Sequence, residues 1–358
     1  MTPNHSKSMS PSTTWKEEIE PGEHELFERF ARDVIVPRQK EIAQRKGPLG
    51  RGLHYKTHAG LMAEFQVLPN LPEHARFGVF RDPRLLPALV RFSNGESFDQ
   101  DDQKPQPRGI AIKLVGVSGP KLLEDQKEAV TQDFLATSHS VTSAVRNVRQ
   151  FMAFLESTIA AEHSHVRLPL IAAAFMLAPK LGIAETARIL IALISSILLS
   201  KVRSMATEHY VSPAPIKCGP YAVKFTVRPA QGTKPAKNHP PSKDFLREEL
   251  ADRLRDGDLM FDFVVQFYVN DRLTPIEDTS VSWKPEHAPF VTVARLRIPK
   301  CDLANPNLTK TVDGLSFTPW HTTEDHRPLG NVMRARRVAY AASSKLRGHS
   351  PEPTGLPL

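Results

Sequence analysis

Arg336 and Tyr340, four residues apart in RARRVAY, suit a helix on which both side chains share one face. A guanidinium beside a phenol oxygen favours its ionised form, and a phenolate so held is a good ligand for ferric haem iron. Far upstream stand Arg51 and His54 in RGLH, three residues apart, and Arg91 in RFS. A neutral imidazole at an open metal face can take a proton from one oxygen of a bound molecule and return it to another, because its pKa lies near neutrality. Arginines around such a site would balance the carboxylates of a buried cofactor. Each of these residues alone is ordinarily structural, and only the combination carries the reading.

The elements that must bring these residues together are mostly strands. Short apolar or alternating runs at 61–67, 76–80, 87–92 and 109–116 are bounded by Pro, Gly and Asp and read as antiparallel strands. A second set, 220–228, 259–269 and 289–298, has the same character, and the segment 128–134 is strand-like. The expected body is an antiparallel barrel with helical excursions. Residues 22–47 have helical apolar spacing and predict a packing arm, kinked or ended near Pro37. Residues 143–155 predict a second amphipathic helix. Residues 1–20, rich in Ser, Thr and Pro, and 348–358, with three prolines and two glycines, read as disordered tails around one domain spanning 21–347.

The segment 166–203 is different, with two apolar stretches at 168–179 and 187–199. Neither reaches the ~18–20 uninterrupted apolar residues of a membrane span. Three placements fit an apolar helical hairpin here. It could be buried over the barrel, line a greasy entrance for a lipid-like substrate, or insert into one leaflet of a membrane.

At 358 residues and 40% hydrophobic, the chain can bury a large core. Two cysteines, Cys218 and Cys301, make no disulfide framework and point to a reducing interior. The first twenty residues hold no apolar signal core, so a cytoplasmic location is expected, with peripheral membrane contact through 166–203. The net charge is +8, yet no Lys/Arg run exceeds two residues, which argues against nucleic acid as a partner. His321, Glu324, Asp325 and His326 lack regular metal-ligand spacing and read as a turn before the tyrosine helix, and the HSH at 163–165 is too isolated for a metal site. Nucleotide, acyl-hydrolase and zinc-protease motifs are absent.

The order of the motifs resembles the haem catalase superfamily. RGLHYKTHAGLMAEFQV, PALVRFSNGES and QPRGIAIKL carry its Arg-x-x-His, Phe-x-Val, Arg-Phe-Ser with Gly-Glu, and Arg-Gly-x-Ala-x-Lys pattern. The matching positions are Arg51, His54, Phe65, Val67, Arg91, Phe92, Ser93, Gly95, Glu96, Arg108, Gly109, Ala111 and Lys113. RRVAY followed by Arg347 resembles the family's tyrosine helix, and the length suits its small catalase-related branch. The resemblance implies an α+β fold, a catalase-like antiparallel β-barrel enclosing haem, with flanking helices. It implies haem, expected to be haem b, with Tyr340 as axial iron ligand and Arg336 tuning it. His54 would be the acid/base, oriented by Ser93, and Arg51, Arg91 and Arg347 would hold the propionates. Phe134, rather than Phe151, would pack on the porphyrin.

One departure bears on activity. The family's distal asparagine segment corresponds, on this reading, to 128–134, where Ala129 or Val130 stands in its place and Thr131 or Gln132 would have to substitute. Weakened peroxide positioning argues against fast catalase turnover. The reading is therefore reduction of hydrogen peroxide or organic hydroperoxides through an oxyferryl intermediate, with a small organic reductant. The alternatives are a fatty-acid hydroperoxide isomerase or lyase and a haem-binding protein with little turnover. Leu53 before the distal histidine is apolar and sides with peroxide reduction over lipid dehydration. Tyr55 and His58 are off-register alternatives to His54, which alone keeps the three-residue step from arginine. A monomer or dimer is expected.

Overall fold

The computed structural model describes residues 9–138, 144–163, 169–199 and 202–357. The start of the expected 1–20 tail, Ser164 and His165 of the HSH motif, residues 166–168 and 200–201 of the 166–203 segment and Leu358 fall outside the described residues. Nine strands are described: β1 (Thr57–Val67), β2 (Leu85–Asn94), β3 (Arg108–Val115), β4 (Thr131–Thr137), β5 (Tyr210–Val211), β6 (Ile216–Cys218), β7 (Tyr221–Pro229), β8 (Leu259–Phe267) and β9 (Val291–Ile298). Their order is β5-β4-β3-β2-β1-β9-β8-β7-β6, every pairing is antiparallel, and β5 also pairs with β7. That pairing closes eight strands into a barrel with β6 appended, so the long strands have no free edge.

Alternation along the strands assigns each residue to one wall. Val90 and Phe92 of β2, Ile110, Ile112 and Leu114 of β3, and Phe134 and Ala136 of β4 point into the lumen, which they fill. At its centre the rings of Phe65, Phe80, Phe134, Phe225 and Phe263 meet, Phe134 lying 5.0 Å from Phe263 and 5.4 Å from Phe225. The sequence places haem within the barrel and Phe134 against it; the lumen is instead a packed aromatic core. The pleat gives the reason, because Phe134 has the lumen parity of Ala136.

Two strand expectations also change. Residues 76–80 form no strand: Gly78 adopts φ 55 within a 3-10 turn, and Val79 N–H donates to His326 Nε2 at 3.0 Å. A Cβ on Gly78 would sit 2.3 Å from that nitrogen, so glycine is required. The strand-like run at 128–134 starts later, at Thr131, and continues to Thr137.

The N-terminal arm is helix α1 (Glu23–Phe30), a π-turn (Ala31–Ile35) and α2 (Val36–Lys46). Pro37 lacks the N–H to continue the ladder, and the widened turn just before it accommodates the ring. Helix α3 (Val148–His163) and the arm both pack on the C-terminal helix α8 (Asn331–Arg347), through Phe27, Phe30, Met152 and Val332. Helices α4 (Pro169–Leu181) and α5 (Ile183–Leu199) form the hairpin, α6 (Phe245–Asp256) closes one end of the barrel, and α7 (Asn307–Gly314) lies on its outer wall at Gly60. A Cβ on Gly60 would reach 2.6 Å from Val312 Cβ, so only glycine admits α7 this closely.

Both tails expected to be disordered are ordered where described. Ser12 N–H bonds Tyr268 O, Trp15 Nε1 bonds Pro220 O, and Glu17 pairs with Arg327 and Arg334. At the other end Ser350 N–H bonds Gly314 O, Glu352 meets Lys113, and Leu356 packs beside Leu89 and Phe317. Composition measures how little a segment could bury by itself, whereas these strips are held by partners hundreds of residues away.

Candidate functional site

The outer wall of β2, β3 and β4 carries the chemistry. Register sets Arg91, Ala111 and Leu135 in one row and Ser93, Gly109 and Thr137 in the next. His54 precedes β1 in the unusual φ 57 conformation; its N–H bonds Gly95 O and its carbonyl accepts from Arg91 Nη2 at 2.7 Å. These bonds hold a backbone that costs energy for a side-chain-bearing residue. The imidazole lies over Gly109, where a Cβ would be 2.6 Å from His54 Nδ1 and 2.8 Å from Ser93 Oγ. Nδ1 is 3.2 Å from Ser93 Oγ. Burial first, and then the charges of Arg91, Arg336 and Arg51, push the His54 pKa down to about 3. The ring is therefore neutral across the physiological range.

Helix α8 supplies the opposite side. Arg336 Nη2 donates to Tyr340 Oη at 2.6 Å, and the guanidinium lies 4.9 Å from the phenol ring centre. The i, i+4 step on one helix face sets this pair, as the sequence implies. The charge of Arg336 acts on His54 and that of Tyr340 on Arg51, so strand wall and helix enclose one site.

Between them stands a cluster of cations. Asp313, in the last turn of α7, accepts from Arg51 Nη1 at 2.5 Å, Arg91 Nε at 2.9 Å and Thr57 Oγ1 at 2.7 Å. Arg347 Nη2 and Arg51 Nη2 both donate to Leu315 O. Burial, and after it the Arg51 charge, lower Arg91 to about 9 and Arg347 to about 10. Burial would raise Asp313, but Arg91 and Arg51 hold it below the ordinary carboxylate range. Arg51 and Arg91 bind Asp313 and Arg347 lies within its field, so three guanidiniums and one carboxylate leave a charge of +2. The two propionates of a haem are its complement, and a phenol and an imidazole both lie within the field of the same arginines. The residues present thus fit the haem that the sequence resemblance implies.

The structure brings together Arg51, His54, Ser93, Arg91, Arg336, Tyr340 and Arg347. It leaves two candidates out. Thr131 lies at the far end of β4, six residues or roughly 20 Å along the strand from Thr137. Its Oγ1 is engaged by His321 Nε2 at 2.5 Å and Glu352 at 2.8 Å. Phe134 is in the lumen, and Phe151 packs between α3 and the hairpin. The off-register alternatives point elsewhere: Tyr55 Oη bonds Pro48 O, and His58 Nε2 lies 2.7 Å from Asn94. Among the described residues no cluster of His, Cys, Asp or Glu could hold a metal ion. His321 and His326 serve as hydrogen-bond partners between loops and strands.

Sequence reasoning missed Asp313 and Thr137. Nothing local marks Asp313, whose partners lie more than two hundred residues away. Thr137 shares the Ser93–Gly109 row, and its buried Oγ1 has no protein partner. Strand register, rather than proximity in sequence to the resembling motif, places it opposite Gly109, over which the imidazole lies. Thr137→Val removes that hydroxyl at constant shape. It is expected to raise stability by about 1 kcal/mol, since an unsatisfied buried group disappears. The same change should lower kcat/KM for peroxide about tenfold, checked by a melting curve and steady-state kinetics on one preparation. A hydroxyl with no role at the site would leave kcat/KM unchanged.

No family model matches the chain. A catalase-related peroxidase of Mycolicibacterium paratuberculosis is 26% identical over 322 residues, covering 84% of this chain and 87% of that protein. Catalase A from Saccharomyces cerevisiae superposes with a TM-score of 0.62 at 14% identity over 95% of this chain. A fungal catalase gives 0.61 at 18% over 86%, and a bacterial catalase 0.60 at 14% over 95%. The chain spans 61% to 68% of the length of these three catalases. The chain is thus similar in sequence to a catalase-related peroxidase and shares the fold of the catalases.

Proposed function

We propose that this chain is a haem enzyme that reduces hydrogen peroxide or organic hydroperoxides at the expense of a small organic donor. The observation that carries the reading is that His54, seated on Gly109 and Ser93, and the Tyr340–Arg336 pair gather at the same arginine cluster. Arg51, Arg91 and Arg347 would hold the propionates, and Tyr340 would ligate the iron. Held by these residues, a haem would supply redox-active iron for peroxide O–O cleavage, and the Tyr340 phenolate would favour its oxidised state.

The chain's own residues supply proton management. When Nδ1 of His54 carries its proton and donates to Ser93 Oγ, Nε2 is free to accept one. Nε2 takes the proton of the near peroxide oxygen and delivers it to the departing one, so water leaves rather than hydroxide. A pKa held far below neutrality keeps Nε2 available at ordinary pH and makes the protonated ring a strong donor. Arg336 donates to the Tyr340 oxygen and can balance the charge of a metal-bound phenolate. Thr137 Oγ1, unpartnered in the row of Ser93 and Gly109, would offer one hydroxyl to a bound peroxide, which supports peroxidase over rapid catalase turnover.

An absorption spectrum of the haem-reconstituted chain with a peroxide titration tests the reading. A Soret band, with phenolic donor oxidised and little oxygen released, is expected. Absence of the band after reconstitution would overturn the haem assignment, and vigorous oxygen release would overturn the preference for a donor. Tyr340→Phe is expected to shift the Soret band and lower haem retention on gel filtration at least about tenfold, because the anionic ligand is lost. Unchanged spectrum and retention would remove Tyr340 from the iron.

A further inference from the structure

The hairpin does not cover the barrel. Its inner face, Leu177, Ile189 and Leu193, packs on Ala144, Val145 and α3, leaving the other face outward. That outward face is apolar. Phe175 is 77% exposed, Ile183 82%, Ile191 65%, Ile171 49% and Ile194 42%. The steps 171 to 175 and 191 to 194 are helical, so these residues form stripes along α4 and α5 that converge on the turn at Gly182. Isolated exposed apolar residues are ordinary, whereas a contiguous stripe of large ones marks a surface that something covers.

The hairpin is a fixed platform. Arg188 donates to Glu185 and to Ala144 O, Gln150 and Arg146 of the α3 entrance donate to Glu185, and Lys180 pairs with Glu156. Its inner face is already packed, so the stripe cannot be buried by the hairpin turning over.

Charge selects the occupant. Residues 166–203 hold five Lys or Arg and one acidic residue, a net +4 within a chain of +8. The one acid, Glu185, is turned toward Arg146 and Arg188, Lys180 near the turn pairs with Glu156 of α3 at an exposed site, and Arg203 beyond the hairpin is exposed. A second copy docked through the same face about a two-fold axis would bring these cations against their own images. An anionic lipid surface would meet them with the opposite charge and receive the aliphatic stripe. No helix among the described residues is long and apolar enough to cross a membrane, which leaves the surface mode. We propose that the outer face of α4 and α5 docks this protein on an anionic lipid bilayer, with Phe175 and Ile183 entering the headgroup–acyl boundary.

Flotation of the full-length, haem-loaded chain with vesicles tests this independently of the peroxide chemistry. Vesicles of phosphatidylcholine mixed with phosphatidylglycerol should carry the protein, and pure phosphatidylcholine should carry at least about tenfold less. The double variant Phe175→Ser, Ile183→Ser should lose flotation at least about tenfold while keeping its Soret band and melting temperature, since both side chains are exposed. Leu85→Ser, at an exposed apolar site on the barrel, should float like the parent. Failure to float on anionic vesicles would overturn the proposal. So would a dimer in light scattering that the double variant dissociates, or loss of flotation in Leu85→Ser alone.

Discussion

His54→Asn is expected to lower kcat/KM for hydrogen peroxide at least about a thousandfold while the Soret band of the bound haem stays in place. The effect is large because His54 is the group beside the Tyr340 face that can both accept and return a proton at neutral pH. Asparagine is chosen for its backbone tolerance. The φ of 57 at this position strains most side chains but suits asparagine, so the turn before β1 should survive. Haem retention should survive as well, because Asp313 and the backbone carbonyls hold Arg51, Arg91 and Arg347 without the imidazole. Only the bonds from Arg91 Nη2 to the backbone of residues 54 and 55 touch the mutated position, and they use carbonyls. Stopped-flow kinetics with peroxide would read the change. A loss below tenfold would mean that another group moves the proton, and a lost Soret band would mean that His54 holds the site together instead.

The second large effect is acid sensitivity. His58, His321 and His326 are fully or almost fully buried, and burial lowers them to about 4, about 2 and about 4. Unfolded, each would take a proton near pH 6.5. A depressed folded pKa contributes stability that is complete above pH 6.5 and lost as the pH falls. Asp133 acts in the opposite sense, since burial raises it to about 7 and the folded chain keeps a proton there that the unfolded chain releases. His54, lowered to about 3, acts with them, so near pH 5 four histidines against one aspartate leave the unfolded chain with three more protons. Stability should then fall by about 4 kcal/mol per pH unit between roughly pH 6 and pH 4.5. Against a typical total of about 5–15 kcal/mol, that is enough to unfold the domain at mildly acid pH. Melting temperatures measured at pH 7 and pH 5 would show it as a steep drop. Equal values would mean that these histidines are protonated, or hydrated, in the folded state.

Cofactor chemistry was legible where spacing is local. Arg336 and Tyr340 read correctly as a pair because one helical turn fixes their contact, and Arg51 and His54 share a three-residue step in one segment. Most of the barrel was legible for a similar reason, since alternation marks β1, β2, β3, β7, β8 and β9 one strand at a time. What failed depended on partners. Sequence position points to Thr131 as distal donor, whereas register puts Thr137, not Thr131, opposite Gly109. Phe134 was assigned to the porphyrin, whereas strand parity puts it in the lumen with Phe225 and Phe263. The 12–20 and 348–357 strips looked disordered in composition yet lie along Tyr268, Arg334 and Lys113. The hairpin was legible as a hairpin, but its placement on α3 rather than on the barrel was not.

Residue types able to do the chemistry, and their order along the chain, are written in the sequence. So are the strand and helix periods, because both follow from bonds and spacings within a few residues. Which wall of the barrel carries the site is a property of the folded chain alone. Folding also leaves three arginines with charge to spare around Asp313, sets Thr137 in the row of Ser93 and Gly109, and turns one side of the hairpin outward. Those outcomes depend on register, parity and closure between segments tens to hundreds of residues apart, and a one-residue slip in any strand would reverse them.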